Sequence, residues 1–312
     1  MRTYNYAIRR TEELRVTPEE VLVHPPVVLT QEQRTSFFRD GYVHLPGFIP
    51  KDWTVRLNAA LAEIVQRSRA ITENSKDYVL APGHTTDSPR LRRLNYAADN
   101  HPDFWDYASR SPLVDAVSDV IGPHVKFRES MVNFKWAHGG DEVKWHQDTS
   151  YLYTNSSPVV TLTSLDEVTD DQGPLLVVPG SHKGKIFRRY DSQGRWSGAI
   201  AEDDLKTVGL DKARTLLGPA GSVTILHTYV VHGSKRNDSA RSRPFLICGF
   251  EAADAMAYRP LPMTSRYTGQ IVRGQEARIA HLEAGYIPLP PDWAKAGYTS
   301  LYEHQQGERR KP

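Results

Sequence analysis

His146 and Asp148, inside the run Lys144-Trp-His-Gln-Asp-Thr-Ser150, are the side chains here with the clearest chemistry to offer. Along an extended strand side chains alternate faces, so residues two apart project the same way. An imidazole and a carboxylate held side by side on stiff backbone supply two adjacent positions of a metal's coordination sphere. A third ligand from another strand would complete a 2-His-1-carboxylate facial triad, which leaves one face of an iron(II) ion open for a co-substrate and dioxygen. His-x-Asp alone is a short pattern that also arises as a surface hydrogen bond.

Two histidines compete for the third position, His227 and His232 in Leu226-His-Thr-Tyr-Val-Val-His-Gly-Ser234. They are five apart, so a regular strand would turn them to opposite faces and only one would reach the metal. His232 is favoured because Gly233 follows it and permits a close backbone turn beside a crowded site. His227 is then structural. Arg243 heads the next apolar run, where a guanidinium fork suits a carboxylate, and Ser234 stands two past His232. A strand-edge arginine is the competing reading, and it fits neighbouring Arg241 equally well.

Elements able to position these residues follow from the pattern around them. Thr30 with Gln33 three places on forms a capping box for a helix ending near Gly41, followed by a strand from Tyr42 to Leu45. Trp53, Leu57, Leu61, Ile64 and Val65 mark one face of an amphipathic helix. Phe104, Tyr107, Ala108, Leu113, Val117, Val120 and Ile121 mark another, ended by Gly122. Between them, 68–90 lacks periodicity and reads as a candidate lid. From Val125 to Phe250 the texture is strand-like: Val125 to Trp136, Val143 to Gln147, Val159 to Leu165, Leu175 to Val178, Ser222 to His227 and Pro244 to Phe250. The expected fold is mainly β with packed helices: a double-stranded β-helix, or jelly roll, over about 125–250, with a helical N-terminal layer and an arm at 1–28, all one domain.

The 312 residues suffice for a substantial core, and a charged fraction of 24% with net charge +2 argues against an electrostatically driven nucleic-acid or membrane-surface protein. The single cysteine, Cys248, lies in an apolar run, which leaves neither a disulfide framework nor a thiolate metal site. Without a signal-like N-terminus or a long apolar span, a cytoplasmic protein acting on a small molecule, as monomer or homodimer, is expected.

His146-Gln-Asp148, then Gln172-Gly-Pro-Leu-Leu-Val-Val-Pro-Gly-Ser-His182, then His232-Gly-Ser-Lys-Arg-Asn237, then Arg243 together closely resemble the phytanoyl-CoA dioxygenase family, which includes ectoine hydroxylase. Leu29-Thr-Gln-Glu-Gln33, Asp40-Gly-Tyr42 and Pro46-Gly-Phe48 resemble that family's opening, so the similarity runs from about Leu29 to Phe250. It implies an iron(II)- and 2-oxoglutarate-dependent dioxygenase that consumes O2, releases succinate and CO2, and hydroxylates an unactivated C–H bond of a small molecule such as an amino-acid derivative or natural-product intermediate. His146, Asp148 and His232 match the iron ligands. Arg243 and Ser234 match the positions holding the distal carboxylate of 2-oxoglutarate, Asn133 a position beside it, and Thr163 a hydroxyl on a facing strand. Glu129 stands where ectoine hydroxylase-like members carry glutamine, which points to a different substrate. With Glu129, Trp145, Tyr151, Tyr153 and Tyr229 are substrate-contact candidates by proximity to the motifs, and His182 reads as a structural turn residue. The carboxylate at Asp148 disfavours halogenation, which needs a small residue there. The same site chemistry also suits desaturation, epimerisation or ring formation. A cupin-like metal hydrolase or isomerase would not need Arg243 and would ignore 2-oxoglutarate, and a silent binding module would bind metal without turnover.

Overall fold

The computed structural model describes residues 18–148, 153–155, 157–187, 198–257, 261 and 263–282, with the backbone of 285–288. Helices α1 (Pro18–Leu22), α2 (Gln31–Asp40), α3 (Lys51–Arg67), α4 (Ala97–Asn100), α5 (Pro102–Arg110) and α6 (Pro112–Ile121) form a layer on one face of the larger sheet. The capping box at Thr30 is formed, its hydroxyl accepting from the Gln33 N–H at 3.2 Å, and Gly41 ends α2 with φ 83°. One helix over 104–121 was expected and two are found. Pro112 has no N–H to continue the ladder, and the Ser111 hydroxyl caps the restart by accepting from Leu113 N at 3.3 Å.

Twelve strands build the two sheets of the jelly roll among the described residues: β1 (Tyr42–Leu45), β2 (Tyr78–Leu80), β3 (Leu91–Asn95), β4 (Val125–Lys135), β5 (Val143–His146), β6 (Val159–Ser164), β7 (Leu175–Val177), β8 (Arg214–Leu216), β9 (Val223–His227), β10 (His232–Ser234), β11 (Arg243–Ala252) and β12 (Ile271–Arg273), the last pairing with β4 off the main path of the larger sheet. The larger antiparallel sheet runs β1-β9-β6-β11-β4-β3-β2, and the smaller runs β5-β10-β7-β8. The region read as a lid carries β2, an edge strand paired with β3, and His84 ties its loop to the carbonyls of Ile71 and Arg90 at 3.0 Å each. Arg92 and Arg93 interrupt the apolar pattern of β3, which hid it in the sequence. No helix among the described residues is long and apolar enough to cross a membrane.

Strand alternation divides the interior in two. Val132, Leu246, Cys248, Val223 and Ile225 turn toward the helices and pack with Leu57, Phe104 and Val117. Val160, Leu162, Leu226 and Phe245 turn the other way and pack on Leu175, Val177 and Leu216 of the smaller sheet. Each fully buried aliphatic side chain here contributes about 1.5–3 kcal/mol of burial, and together they fix which face of each strand looks into the space between the sheets. A residue's role at the site therefore depends on its parity along its strand.

Asp119, buried near the end of α6, accepts the backbone N–H groups of Val27, Val28 and Leu29 at 2.7, 2.9 and 2.8 Å. Its own carbonyl receives Arg34 Nε at 2.8 Å. The chain entering α2 is thus pinned by one carboxylate. Asp119→Ala strips three charge-assisted bonds and is expected to cost about 3 kcal/mol, read as a lower denaturant midpoint; a midpoint unchanged from wild type would refute that role.

Candidate metal centre

β5 and β10 are antiparallel neighbours in the smaller sheet, with His232 directly opposite His146. The two rings lie 4.1 Å apart between centroids. Asp148 sits two residues past His146, just beyond the strand end, where its N–H donates to Thr228 O at 2.7 Å. Its Oδ1 is 3.7 Å from His146 Nε2 and its Oδ2 is 3.7 Å from His232 Nε2. All three ligand atoms fall within 4.8 Å of one another.

The tautomers follow from the neighbours. His146 Nδ1 is 2.8 Å from Lys144 O, and His232 Nδ1 is 3.0 Å from Val230 O. A carbonyl only accepts, so both Nδ1 atoms carry the proton and both Nε2 lone pairs face Asp148. This is how metal-binding imidazoles are oriented by a second hydrogen bond. Two neutral imidazoles and one carboxylate, three donors on one side, suit iron(II) with open positions.

His227 takes the other face, as its odd spacing required. It stands over α2, 6.4 Å from the Phe37 ring and 5.2 Å from His182 between centroids, and its Nδ1 accepts from Tyr229 N at 3.1 Å. Burial, with a smaller contribution from His182, pushes its pKa down to about 3. An unfolded histidine titrates near 6.5. Between these values the unfolded chain takes up a proton that the folded chain refuses, so stability is held above about pH 6.5 and lost as pH falls toward 3. We expect unfolding free energy to be about 2 kcal/mol lower at pH 5 than at pH 7. His227→Asn keeps an acceptor for Tyr229 N and should flatten that slope in denaturant titrations; an undiminished slope would assign the acid loss elsewhere.

Arg243 opens β11, 4% exposed. Its Nε donates to Gln172 O at 3.1 Å and its Nη2 to Gly173 O at 2.9 Å, and its guanidinium lies 4.0 Å from the Phe245 ring centroid. Burial alone pushes its pKa down to about 9. Phe245 belongs to the packing between the sheets, so Arg243, two residues earlier, faces that space as well. Ser234, buried at the end of β10, shares the face of His232 by the same parity. Asn133 pairs with Phe245 and so also looks inward.

The sequence model of the phytanoyl-CoA dioxygenase family matches residues 37–245, two thirds of the chain. The chain belongs to the phytanoyl-CoA dioxygenase family. It is 28% identical over 285 residues to a probable alpha-ketoglutarate-dependent hypophosphite dioxygenase of Stutzerimonas stutzeri, covering 90% of this chain and 98% of that one. It is 27% identical to the L-proline trans-4-hydroxylase of Streptomyces griseoviridis, covering 77% and 94%. In fold it is similar to iron-bound EctD from S. alaskensis, with a TM-score of 0.67, 21% identity, and coverage of 85% and 94%. Family and ligand set together make the protein an iron(II)- and 2-oxoglutarate-dependent dioxygenase.

Not every residue expected at this dioxygenase's site lies there. Thr163 turns to the helical layer, where its hydroxyl meets Tyr107 Oη of α5 at 2.6 Å. It is one residue out of phase with Leu162, which faces the smaller sheet. Trp145 lies out of phase with His146, as alternation along the strand required, and packs with Val178, Phe187, Ile200 and Val231. Tyr153 is buried against Arg128 and Glu251, and burial raises its pKa. Tyr229 sets its ring 5.2 Å from His227, and its carbonyl receives Gln147 Nε2 at 2.8 Å. Glu129 lies inward, paired with Gly249 and 3.2 Å from Arg128 Nη2. Tyr151 lies outside the described residues.

Two contributions were missed. The carbonyls of Gln172 and Gly173 seat Arg243, and Gly173 is left-handed at φ 63° with no space for a side chain, since a Cβ would fall 2.3 Å from Lys235 O. Asn237 locks the turn after β10, donating to Lys135 O at 3.0 Å and Arg241 O at 2.7 Å. Both residues stood in the motifs; a glycine inside an otherwise apolar run was the available signal.

Proposed function

We propose that this dioxygenase hydroxylates an unactivated C–H bond of a free small molecule, an amino-acid derivative or a natural-product intermediate. The observation that carries the reading is the His146–Asp148–His232 triad on the same inner space as a buried Arg243 whose hydrogen bonds among the described residues run to the backbone carbonyls of Gln172 and Gly173. Iron(II) and 2-oxoglutarate, when bound, supply the oxidising chemistry, in which O2 is consumed and succinate and CO2 are released. The chain supplies position. Lys144 O and Val230 O fix the two imidazoles, Thr228 O fixes the backbone of Asp148, and Gln172 O and Gly173 O hold the guanidinium that receives the distal carboxylate. The packing between the sheets excludes water from one side of the centre, while His146 and Asp148 remain half-exposed on the side where a substrate enters.

The L-proline trans-4-hydroxylase similarity supports an amino-acid-like substrate, and the hypophosphite dioxygenase similarity extends the range to small anions. The same reading takes the protein to act in the cytoplasm as a monomer or homodimer. A substrate screen read by succinate release, followed by product mass, tests it. Gain of one oxygen supports hydroxylation; loss of two hydrogens indicates desaturation or ring closure, and an unchanged mass indicates epimerisation. No succinate with any substrate class would overturn the proposal.

A further inference from the structure

Arg93 brings a charge into the space between the sheets. Its strand neighbours Leu91 and Leu94 pack under the helices, whereas Arg93 pairs directly with Asn133 on the β3–β4 ladder. Facing residues of an antiparallel pair share a side of the sheet. Asn133 pairs in turn with Phe245, which packs between the sheets, so Arg93 looks inward too. Its guanidinium runs along that inner wall, where Nη2 donates to Met131 Sδ. Arg93 is half-buried, and Met131 is buried behind it.

Two ladders fix its level along the barrel. Gly173 O receives Arg243, and from that contact β7 follows β11, with Leu175 and Val177 packing on Phe245 and Ile247. His232 pairs with Val177, and Met131 pairs with Ile247. Val177 is four residues past Gly173 and Ile247 four past Arg243, so both pairs stand about 13 Å from the Arg243 seat. The Arg93 guanidinium against Met131 therefore lies at the level of the His232 imidazole, across from the metal ligands.

The other charges on this wall lie elsewhere or are matched. Arg128, laid over Gly249 where a Cβ would fall 2.7 Å from its Nε, stands 3.2 Å from Glu129. Lys126 stands 3.4 Å from Glu251, and Lys135 faces Arg243 at the far end. At the level of the metal the inward side chains of β4 and β11 are Met131, Asn133, Phe245 and Ile247, none of them charged. Among the described residues, Arg93 is thus the cation of the wall facing the half-exposed His146 and Asp148. A guanidinium offers five N–H donors in a planar fork; a thioether is a weak acceptor for one of them, whereas an oxyanion takes two in parallel.

Resting on the dioxygenase reading above, we propose that the substrate to be oxidised carries a compact oxyanion, a carboxylate or a phosphorus oxyanion, and that Arg93 binds it and determines specificity. Arg243 serves the co-substrate a level away, so Arg93 selects the second molecule. Its anionic group is anchored beside the metal, which leaves the bond to be oxidised a few atoms from that anchor. A neutral substrate would leave this charge without a purpose.

Calorimetry on the full chain, loaded anaerobically with iron(II) and 2-oxoglutarate, tests this with L-proline as carboxylate probe, hypophosphite as phosphorus oxyanion probe, and L-prolinamide, which keeps the ring and amine without the carboxylate. At least one of the two anions should bind, and the one that does identifies the source of the oxyanion. L-Prolinamide should bind at least about tenfold more weakly than L-proline if L-proline is that anion. Arg93→Met should weaken the bound anion about ten- to a hundredfold and leave 2-oxoglutarate affinity unchanged, which also reports an intact fold. Arg93→Lys should recover part of the loss, since it restores the charge without the fork. Failure of both anions to bind the wild type, which needs no variant to fold, would overturn the proposal, as would L-prolinamide binding as well as L-proline. An anion affinity untouched by Arg93→Met would overturn it too, and weakening of 2-oxoglutarate by that variant would make Arg93 a co-substrate contact instead. In each of these cases the dioxygenase reading stands as long as 2-oxoglutarate binds the iron-loaded wild type; if it does not, that reading has failed.

Discussion

In His232→Ala, iron(II) affinity is expected to fall by more than about a hundredfold, and succinate formation with it. Loss of a hydrogen bond to a metal ligand costs about 10–100-fold in affinity, so loss of the ligand itself must exceed that range. The fold should survive. His232 is held in β10 by backbone pairing with β5 and β7, which alanine retains, and its side chain points at the centre rather than into the apolar packing. His227→Ala should do the reverse. That side chain is half-buried with its ring 6.4 Å from that of Phe37, and its removal leaves Tyr229 N without its acceptor. A loss of about 2–4 kcal/mol is expected, with iron affinity nearly unchanged. Iron titration beside thermal unfolding separates the two variants. The opposite pattern would mean that β9, and not β10, supplies the third ligand.

That pair of histidines shows why much of the site was legible in the sequence. Strand parity alone required that one of them face away, and Gly233 pointed to the right one. The same rule turns Trp145 to the face opposite His146, and it was available for Thr163 and was not applied there. Thr163 is in phase with Thr161, whose hydroxyl donates to Cys248 O, and both look toward the helices. Trp145 sits next to His146 and became a substrate candidate by proximity in sequence alone, while parity turns it to the face opposite the ligand, where it packs. Elements with strong periodicity or caps were found within a residue or two, as α2, β1 and β6 were. The break at Ser111-Pro112 was a local signal overridden by the apolar spacing on both sides of it. β10 was invisible as a strand because three residues, His232, Gly233 and Ser234, carry no β pattern; they are extended because β5 and β7 flank them. The seat of Arg243 is a long-range contact across about seventy positions, made through backbone carbonyls, and carbonyls leave no mark in a sequence.

Arg243→Met is expected to raise the KM for 2-oxoglutarate by at least about a hundredfold while leaving stability near wild type. Two effects on the fold oppose each other. Methionine leaves the carbonyls of Gln172 and Gly173 without their donors, a cost of about 1–3 kcal/mol. It also removes a buried cation that has no acid beside it among the described residues and faces Lys135, a gain of similar size, because an unpaired buried charge is among the least favourable groups in an interior. Burial alone depresses the Arg243 pKa, so the carbonyls of Gln172 and Gly173 and the Phe245 ring offset only part of the cost of burying the charge. A residue kept at such a cost serves the state with the anion bound, where the guanidinium gains a bidentate partner. The prediction is therefore a divergence, with co-substrate affinity collapsing and thermal stability holding. Steady-state kinetics in 2-oxoglutarate and thermal denaturation, with and without 2-oxoglutarate, read both sides. The wild type should be stabilised by 2-oxoglutarate and the variant should not. A variant that unfolds easily yet keeps the wild-type KM would make Arg243 a structural strap across the Gln172-Gly173 turn and remove the dicarboxylate from this end of the barrel.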